Sequence, residues 1–282
     1  KLNFLEFNNG CPNTACMLQN TLQRANQAPS GRQAVQAWVR LWRKMGIRSV
    51  RQAWGLAPDE GSWALVGLSR AGPDLVRVHT STLLRPPSAD IDEALWLSAA
   101  LQDAHRGMGR GRHPLAMAVT VADSVSGSLA CPVEWTEEAW PAEVQLEVAK
   151  ALNLPTDEVN FDFQLDVGDS GPIPRLRWVG CPETLINDYQ HWTSEAGWHL
   201  SSVEPVWGAA ERAARALVGG LPSLLRQAPQ DWQFRLHPRL EPHALTPEEA
   251  FDGRQDAQLQ EALASAAGPR LVAAGLALKA WT

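Results

Sequence analysis

Across residues 158–167 the side chains alternate without a break, with Val159, Phe161, Phe163, Leu165 and Val167 set against Asn160, Asp162, Gln164 and Asp166. Period-two alternation puts every second residue on one face of an extended strand, so this segment reads as a strand with one covered and one wet face. One strand leaves half its backbone donors and acceptors unmet, so a sheet has to form around it. The rest of the chain supplies further strands. Residues 63–69 and 74–84 read as two strands joined by the turn Arg70-Ala71-Gly72-Pro73. Residues 115–122, 127–135, 176–181 and 198–204 read as more. Helices fall between them. One runs from Asp90 to about His105, with Asp90 as cap, Glu93 as its return partner, and Ile91, Ala94, Leu95, Leu101 and Ala104 as core. A second is capped by Thr136 and carries Val144, Leu146, Val148 and Leu152. A third opens at Pro182, ends at Gly197, and has the stripe Leu185, Ile186, Tyr189, Trp192 and Ala196. A small-residue helix covers residues 206–217. Strands interleaved with helices specify a mixed α/β class.

Charge and cysteine usage narrow the function classes. The formal net charge of −6 argues against a dedicated nucleic-acid binder. The cysteines, Cys11, Cys16, Cys131 and Cys181, form no CxxC pair and no zinc set, and scattered thiols suit a reducing compartment such as the cytoplasm. No apolar run approaches the roughly 20 residues needed to span a bilayer. No signal peptide is visible; the chain opens on Lys1, so an upstream segment stays open. Residues 1–37, rich in Asn, Gln, Pro and Gly, read as a disordered or extraneous leader. In the next segment Trp38, Leu41, Trp42 and Met45 form one apolar stripe beside Arg40, Arg43, Lys44, Arg48 and Arg51. Two readings stand for it: a helix lying on an anionic membrane surface, and a first helix packing on its own domain, which is the commoner use of such a pattern.

The segment Asp157-Glu158-Val159-Asn160-Phe161-Asp162-Phe163-Gln164, the strand Arg177-Trp178-Val179-Gly180-Cys181, the helix after it and Val203-Glu204-Pro205 resemble, in that order, the middle of the PilM family. PilM proteins are actin-like scaffolds of type IV pilus assembly. Leu271-Val272-Ala273-Ala274-Gly275-Leu276-Ala277-Leu278-Lys279 is similar to that family's closing helix, and its small residues suit a helix lying close against a sheet. The resemblance implies an actin-like, ribonuclease H-like half domain over residues 38–217, an inserted αβ subdomain near 115–167, and a reduced second domain over 218–282. After Leu217 the chain is shorter than the ~100 residues of an ordinary domain. Residues 232–236 read as a strand there, and residues 258–267 as a helix.

Actin-like ATPases hold phosphates on glycine turns bearing Asp-x-Gly, whose N–H groups cradle the anion while the Asp helps hold a hydrated metal. Without gaps, Ala57 stands where the first Asp belongs. A shift of two residues restores Asp59, Gly61 and Ser62, at the expected expense of shortening the next strand and of placing Pro58 just before the turn. A surface hairpin turn is the commoner use of such residues. The second phosphate turn is replaced by Val218-Gly219-Gly220-Leu221-Pro222-Ser223. The resemblance therefore implies a scaffold with no cofactor, in which Asp59, Gly61 and Ser62 are a vestigial turn; an ATPase using ATP and magnesium is the alternative.

Other chemistry finds little support. His237, His243 and Glu241 share a loop that reads as solvated rather than metal-binding. Glu158, Asp162 and Asp166 read as a solvated carboxylate row rather than an acid/base pair. Gly107-Met108-Gly109-Arg110-Gly111-Arg112 reads as a helix break rather than a phosphate loop. The resemblance implies a protein at the cytoplasmic face of the inner membrane that grips the tail of a PilN-like partner in an apolar groove between the inserted subdomain and the first sheet. Homo-oligomerisation stays open. A cytoplasmic scaffold of type II secretion, of GspL type, is a further alternative. Leu2-Asn3-Phe4-Leu5-Glu6 itself resembles a PilN-type tail, though chance is the commoner source of a match this short.

Overall fold

A computed structural model of the chain describes residues 51–88, 90–108, 113–132, 135–166, 174–224, 226–236 and 253–281. The expected leader, the Trp38–Met45 stripe and the histidine loop lie outside these residues. The fold opens with a meander of β1 (Gln52–Asp59), β2 (Ser62–Arg70) and β3 (Leu75–Leu84). The turn between β1 and β2 spans Glu60 and Gly61, and Gly61 takes φ +63°, a left-handed conformation that favours glycine. There follow α1 (Glu93–Arg106), β4 (Pro114–Val119), β5 (Val125–Ala130), α2 (Trp140–Leu152), β6 (Val159–Asp166) and β7 (Arg175–Pro182). The chain continues through α3 (Glu183–Glu195), β8 (His199–Pro205), α4 (Val206–Ala216), the short α5 (Leu221–Leu224) and β9 (Gln233–Arg235). Two helices, α6 (Gly253–Ala264) and α7 (Gly268–Leu278), come last.

Six strands form one sheet in the order β8-β4-β1-β2-β3-β9, in which β8, β4 and β1 are parallel and the other pairings antiparallel. Three antiparallel strands, a helix, a parallel strand, an insertion, then a parallel strand and a helix make the actin-like, ribonuclease H-like half domain that the resemblance implied. Pro58 breaks no ladder bond, because β1 pairs with β4 only from Trp54 to Leu56. The insertion is the antiparallel sheet β5-β7-β6 with α2 on one face.

The two faces of the large sheet are closed differently. On one lies α7, in which every residue from Leu271 to Leu278 is buried. A helix that is apolar all round has to sit inside the molecule. Side chains are small where backbones meet: a Cβ added to Gly55 in β1 would stand 1.9 Å from the Ala273 carbonyl oxygen, and one added to Gly275 would stand 1.8 Å from that of Ala209 in α4. Helix α4 answers with buried Ala209, Ala210, Ala213 and Ala214. The opposite face is packed with aromatic and branched residues. Trp54 meets Trp198 edge to face at 5.4 Å, Trp198 Nε1 donates to the Leu101 carbonyl at 2.9 Å, and Leu97 and Leu101 of α1 are fully buried.

Several sequence expectations are corrected. The α1 cap is Asp92, whose carboxylate accepts the Leu95 N–H at 3.1 Å, not Asp90. Starting the helix there turns Leu97 and Leu101 inward and leaves Ile91 and Leu95 exposed. Glu93 forms no capping box; its carboxylate accepts from Trp63 Nε1 at 2.7 Å. Helix α2 starts behind Ala139 with no side-chain cap, so Thr136 caps nothing. Pro182 is the residue before α3 rather than its first. Leu115 already belongs to the large sheet, and the inserted sheet runs from Val125 to Pro182 rather than 115–167. Within β6, Asn160, Asp162 and Gln164 are half-buried rather than wet, while Leu165 is exposed. From residues 218–282, β9 joins the large sheet and α7 lies across it.

Gly275→Ala and Gly55→Ala should each destabilise the protein by about 2–3 kcal/mol or more, since backbone atoms block the new methyl group. Gly208→Ala, with open space around it in α4, should be neutral or stabilise by up to about 1 kcal/mol. Urea denaturation of the three variants checks both halves of this expectation.

Candidate functional site

The carboxyl ends of the parallel strands share one edge of the large sheet. Leu56 pairs with Met117, Ala118 with Glu204 and Val119 with Pro205, so Asp59, Thr120 and Val206 leave the sheet at nearly one level. This is where α/β sheets place their ligand sites. Asp59, Gly61 and Ser62 form the tip of the β1–β2 hairpin there. Asp59 Oδ1 accepts the Glu60 N–H at 2.9 Å and Oδ2 accepts the Ser62 hydroxyl at 3.2 Å. Strand β2 keeps nine residues, so the expected shortening does not occur. Ala57, the ungapped counterpart, is fully buried in β1 opposite Ala64 and cannot reach a ligand. For ATP and magnesium the fit is poor. The Asp59 carboxylate accepts two hydrogen bonds within its own turn, and Glu60 adds a second, exposed acid to that turn, whose charge would repel a phosphate.

Next along the edge, residues 120–124 link the two sheets. Thr120 Oγ1 donates to Asp123 Oδ2 at 2.5 Å, Ser124 Oγ donates to the Thr120 carbonyl at 2.7 Å, and Val121 stands 83% exposed. Helix α3 packs against both sheets and brings Tyr189 to this seam. Tyr189 lies edge-on to Trp63 at 6.1 Å and tilted against Trp192 at 5.4 Å. Burial, then the charges of Asp123 and Glu93, raise the Tyr189 phenol above its ordinary range. Burial, then Asp123, push the Cys181 thiol up to about 12. A thiol held there is no nucleophile at neutral pH. The rings of Trp63 and Tyr189 are buried beneath this seam, and Val121, Asp123 and Glu93 are exposed on it.

Sequence reasoning missed a third group on the same edge. Glu204 at the end of β8 is buried, and its carboxylate accepts from Arg212 Nη2 of α4 at 2.6 Å and lies 3.1 Å from Lys279 Nζ, just past α7. Arg212 also donates to the Gly275 carbonyl at 2.8 Å. One carboxylate therefore ties β8, α4 and α7 together. The available signal was Arg212 itself, a charge on the small-residue face of an alanine-rich helix.

The remaining candidates do not assemble. Glu158 is exposed in a turn before β6, while Asp162 Oδ1 accepts the Phe163 N–H at 2.8 Å; the Asp166 side chain lies outside the described residues. Among the described residues no three His, Cys, Asp or Glu side chains come together as a metal set, and no helix is long and apolar enough to cross a membrane.

No family model matches this sequence, and no curated protein matches it significantly. Some solved structures are similar to part of this chain. One is a PilM-PilN type IV pilus biogenesis complex, 16% identical, covering 58% of this chain and 53% of the other, with a TM-score of 0.46. Another is the cytoplasmic domain of EpsL, an inner membrane component of the type II secretion system of Vibrio cholerae, 11% identical, covering 56% of this chain and 58% of that one, with a TM-score of 0.42. A third is a Bacteroides thetaiotaomicron protein of actin-like ATPase fold and unknown function, 7% identical, covering 60% of each chain, with a TM-score of 0.32. The chain spans less than two thirds of the length of each.

Two outcomes follow from the buried groups. Glu204→Gln leaves Arg212 and Lys279 without their counter-charge and should cost about 3 kcal/mol, a fall of roughly 6–12 °C in thermal midpoint by calorimetry. Cys181 has its folded pKa raised above the unfolded value of about 8.5. Its contribution is fully present below about pH 8.5 and is lost as pH rises toward about 12, by up to about 1.4 kcal/mol per unit. Denaturant midpoints at rising alkaline pH should fall more steeply for the wild type than for Cys181→Ala.

Proposed function

We propose that this chain is a binding scaffold of PilM type, which grips an extended cytoplasmic tail of an inner-membrane partner and does not hydrolyse ATP. The observation that carries this reading is the β1–β2 turn: the Asp59 carboxylate, the group a metal–nucleotide site would need free, is engaged by the Glu60 N–H and the Ser62 hydroxyl. The seam supports it further. Extended segments bind through a few apolar anchors and backbone hydrogen bonds, and exposed Val121 supplies one such anchor beside the exposed carboxylates of Asp123 and Glu93. The sequence motifs of the PilM family fall on β6, β7, β8 and α7 in the matching order. The tail would come from a PilN-like protein, and the scaffold would work in the cytoplasm at the inner membrane. A type II secretion scaffold would use the same seam.

The ATPase reading keeps one observation in its favour: Asp59, Gly61 and Ser62 do occupy the tip of the first hairpin at the ligand edge of the sheet. Calorimetry separates the two. A synthetic PilN-type tail peptide should bind, Val121→Asp should weaken it roughly tenfold with an unchanged melting temperature, and magnesium ATP should give no binding heat. Tight ATP binding abolished by Asp59→Asn would replace the scaffold reading with the ATPase.

A further inference from the structure

The sheet edges among the described strands differ in what blocks them. β9 is met by Leu217, which bridges Phe234, and by Val218, whose N–H donates to the Gln233 carbonyl at 2.9 Å. β8 is buried at Leu200, Ser202, Val203 and Glu204. β6 carries Asp162, and a second copy of β6 beside it would set like charges together. β3 is covered by β9 only from Leu75 to Arg77. β5 carries no guard along its length. Its residues Val125, Ser126, Gly127, Ser128, Leu129 and Ala130 include no charge and no proline, and Ser126, Ser128 and Ala130 are exposed. An unguarded edge is a template for another strand.

The order of side chains along β5 says which strand. Read outward from Gly127 in both directions it is the same chemistry: serine, then a branched aliphatic residue. We propose that β5 pairs with β5 of a second copy of this chain, antiparallel about a two-fold axis through Gly127. In that register Val125 stands opposite Leu129, Ser126 opposite Ser128, and Gly127 opposite itself. Val125 and Leu129 already pack on the core cluster under α2, so their pairs extend that apolar face across the axis. The serines pair on the other face, where hydroxyls can bond to each other. At the axis the Trp178 indole lies over Gly127, where an added Cβ would stand 2.5 Å from Cζ2, so the two backbones meet with no side chain between them. A one-residue slip sets Ser126 against Leu129 and turns the covered face of the second copy outward. The two antiparallel sheets become one continuous sheet, an isologous contact of the kind two-fold dimers use.

A single strand seam is small beside the ~1,200–2,000 Å² of stable complexes, so the contact is weak in dilute solution and gains strength where copies are held together. It does not depend on tail binding. The test uses the full chain with Cys11→Ser and Cys16→Ser; Cys131 and Cys181 are buried and stay. Ser126→Cys and Ser128→Cys variants are oxidised alone and as an equimolar mixture. Directly opposed Cβ atoms come close to disulfide spacing, whereas diagonal ones do not. The mixture should form disulfide dimer several-fold faster than either variant alone. In sedimentation velocity the wild type should show a coefficient that rises with concentration, and Ser126→Lys should abolish that rise with an unchanged melting temperature. Equal cross-linking rates in all three samples would overturn the proposal. So would a wild type that stays monomeric up to ~1 mM, or a dimer that survives Ser126→Lys, which would have its seat elsewhere.

Discussion

The molecule depends on the contact between a strand near the start of the described chain and a helix at its far end. Gly55 in β1 and the Ala273 carbonyl in α7 approach so closely that no side chain fits between them. That closeness explains the composition around it. Helix α7 has no polar face, since β1, β2 and β4 lie below it and α4 beside it. Helix α4 presents alanines because Gly275 brings the two helix backbones together. Packing at this density leaves no room for adjustment, which is why small residues recur on every surface that meets α7.

A buried charge network completes the same junction. Without Arg212 and Lys279, the Glu204 carboxylate would be an unpaired charge in a nearly dry place, which is untenable. With them it ties the end of β8 to α4 and to the residue that follows α7. The edge is thereby rigid on its β8 side. On the other side the seam with the inserted sheet has buried rings below it and the exposed acids Glu93 and Asp123 above.

Much of the fold was legible before any coordinates, for a physical reason. Strands with period-two alternation have one outcome, so β3 and β6 fell close to where the sequence put them, and the apolar runs of β2 and β7, bounded by turn residues, did so too. Helix phase was less secure. Asp90 and Asp92 are equally good caps, and the expected stripe held Leu101, which is buried, but took in Ile91 and Leu95 where the structure buries Leu97. The inserted unit was misplaced because a buried strand such as β4 reads the same in either sheet. At the site, Asp59, Gly61 and Ser62 were recognised, but the state of their turn was not. Whether a carboxylate is free or already bonded to its neighbours is a matter of geometry. Arg212 was invisible for a similar reason: a charge on a helix is counted as solvated until something buried is seen to need it.

The position of α7 along the chain carries a consequence for folding kinetics. The first strands to be made expose, on one face, the apolar surface that α7 will cover, and they must wait for almost the whole described chain before it arrives. Contacts of such long sequence separation form late, after the loop between them has closed. Until then a nascent chain presents an uncovered sheet face to other chains, the state in which partly folded proteins aggregate. The helix that covers the finished sheet is thus also a contact of the long-range kind that slows folding.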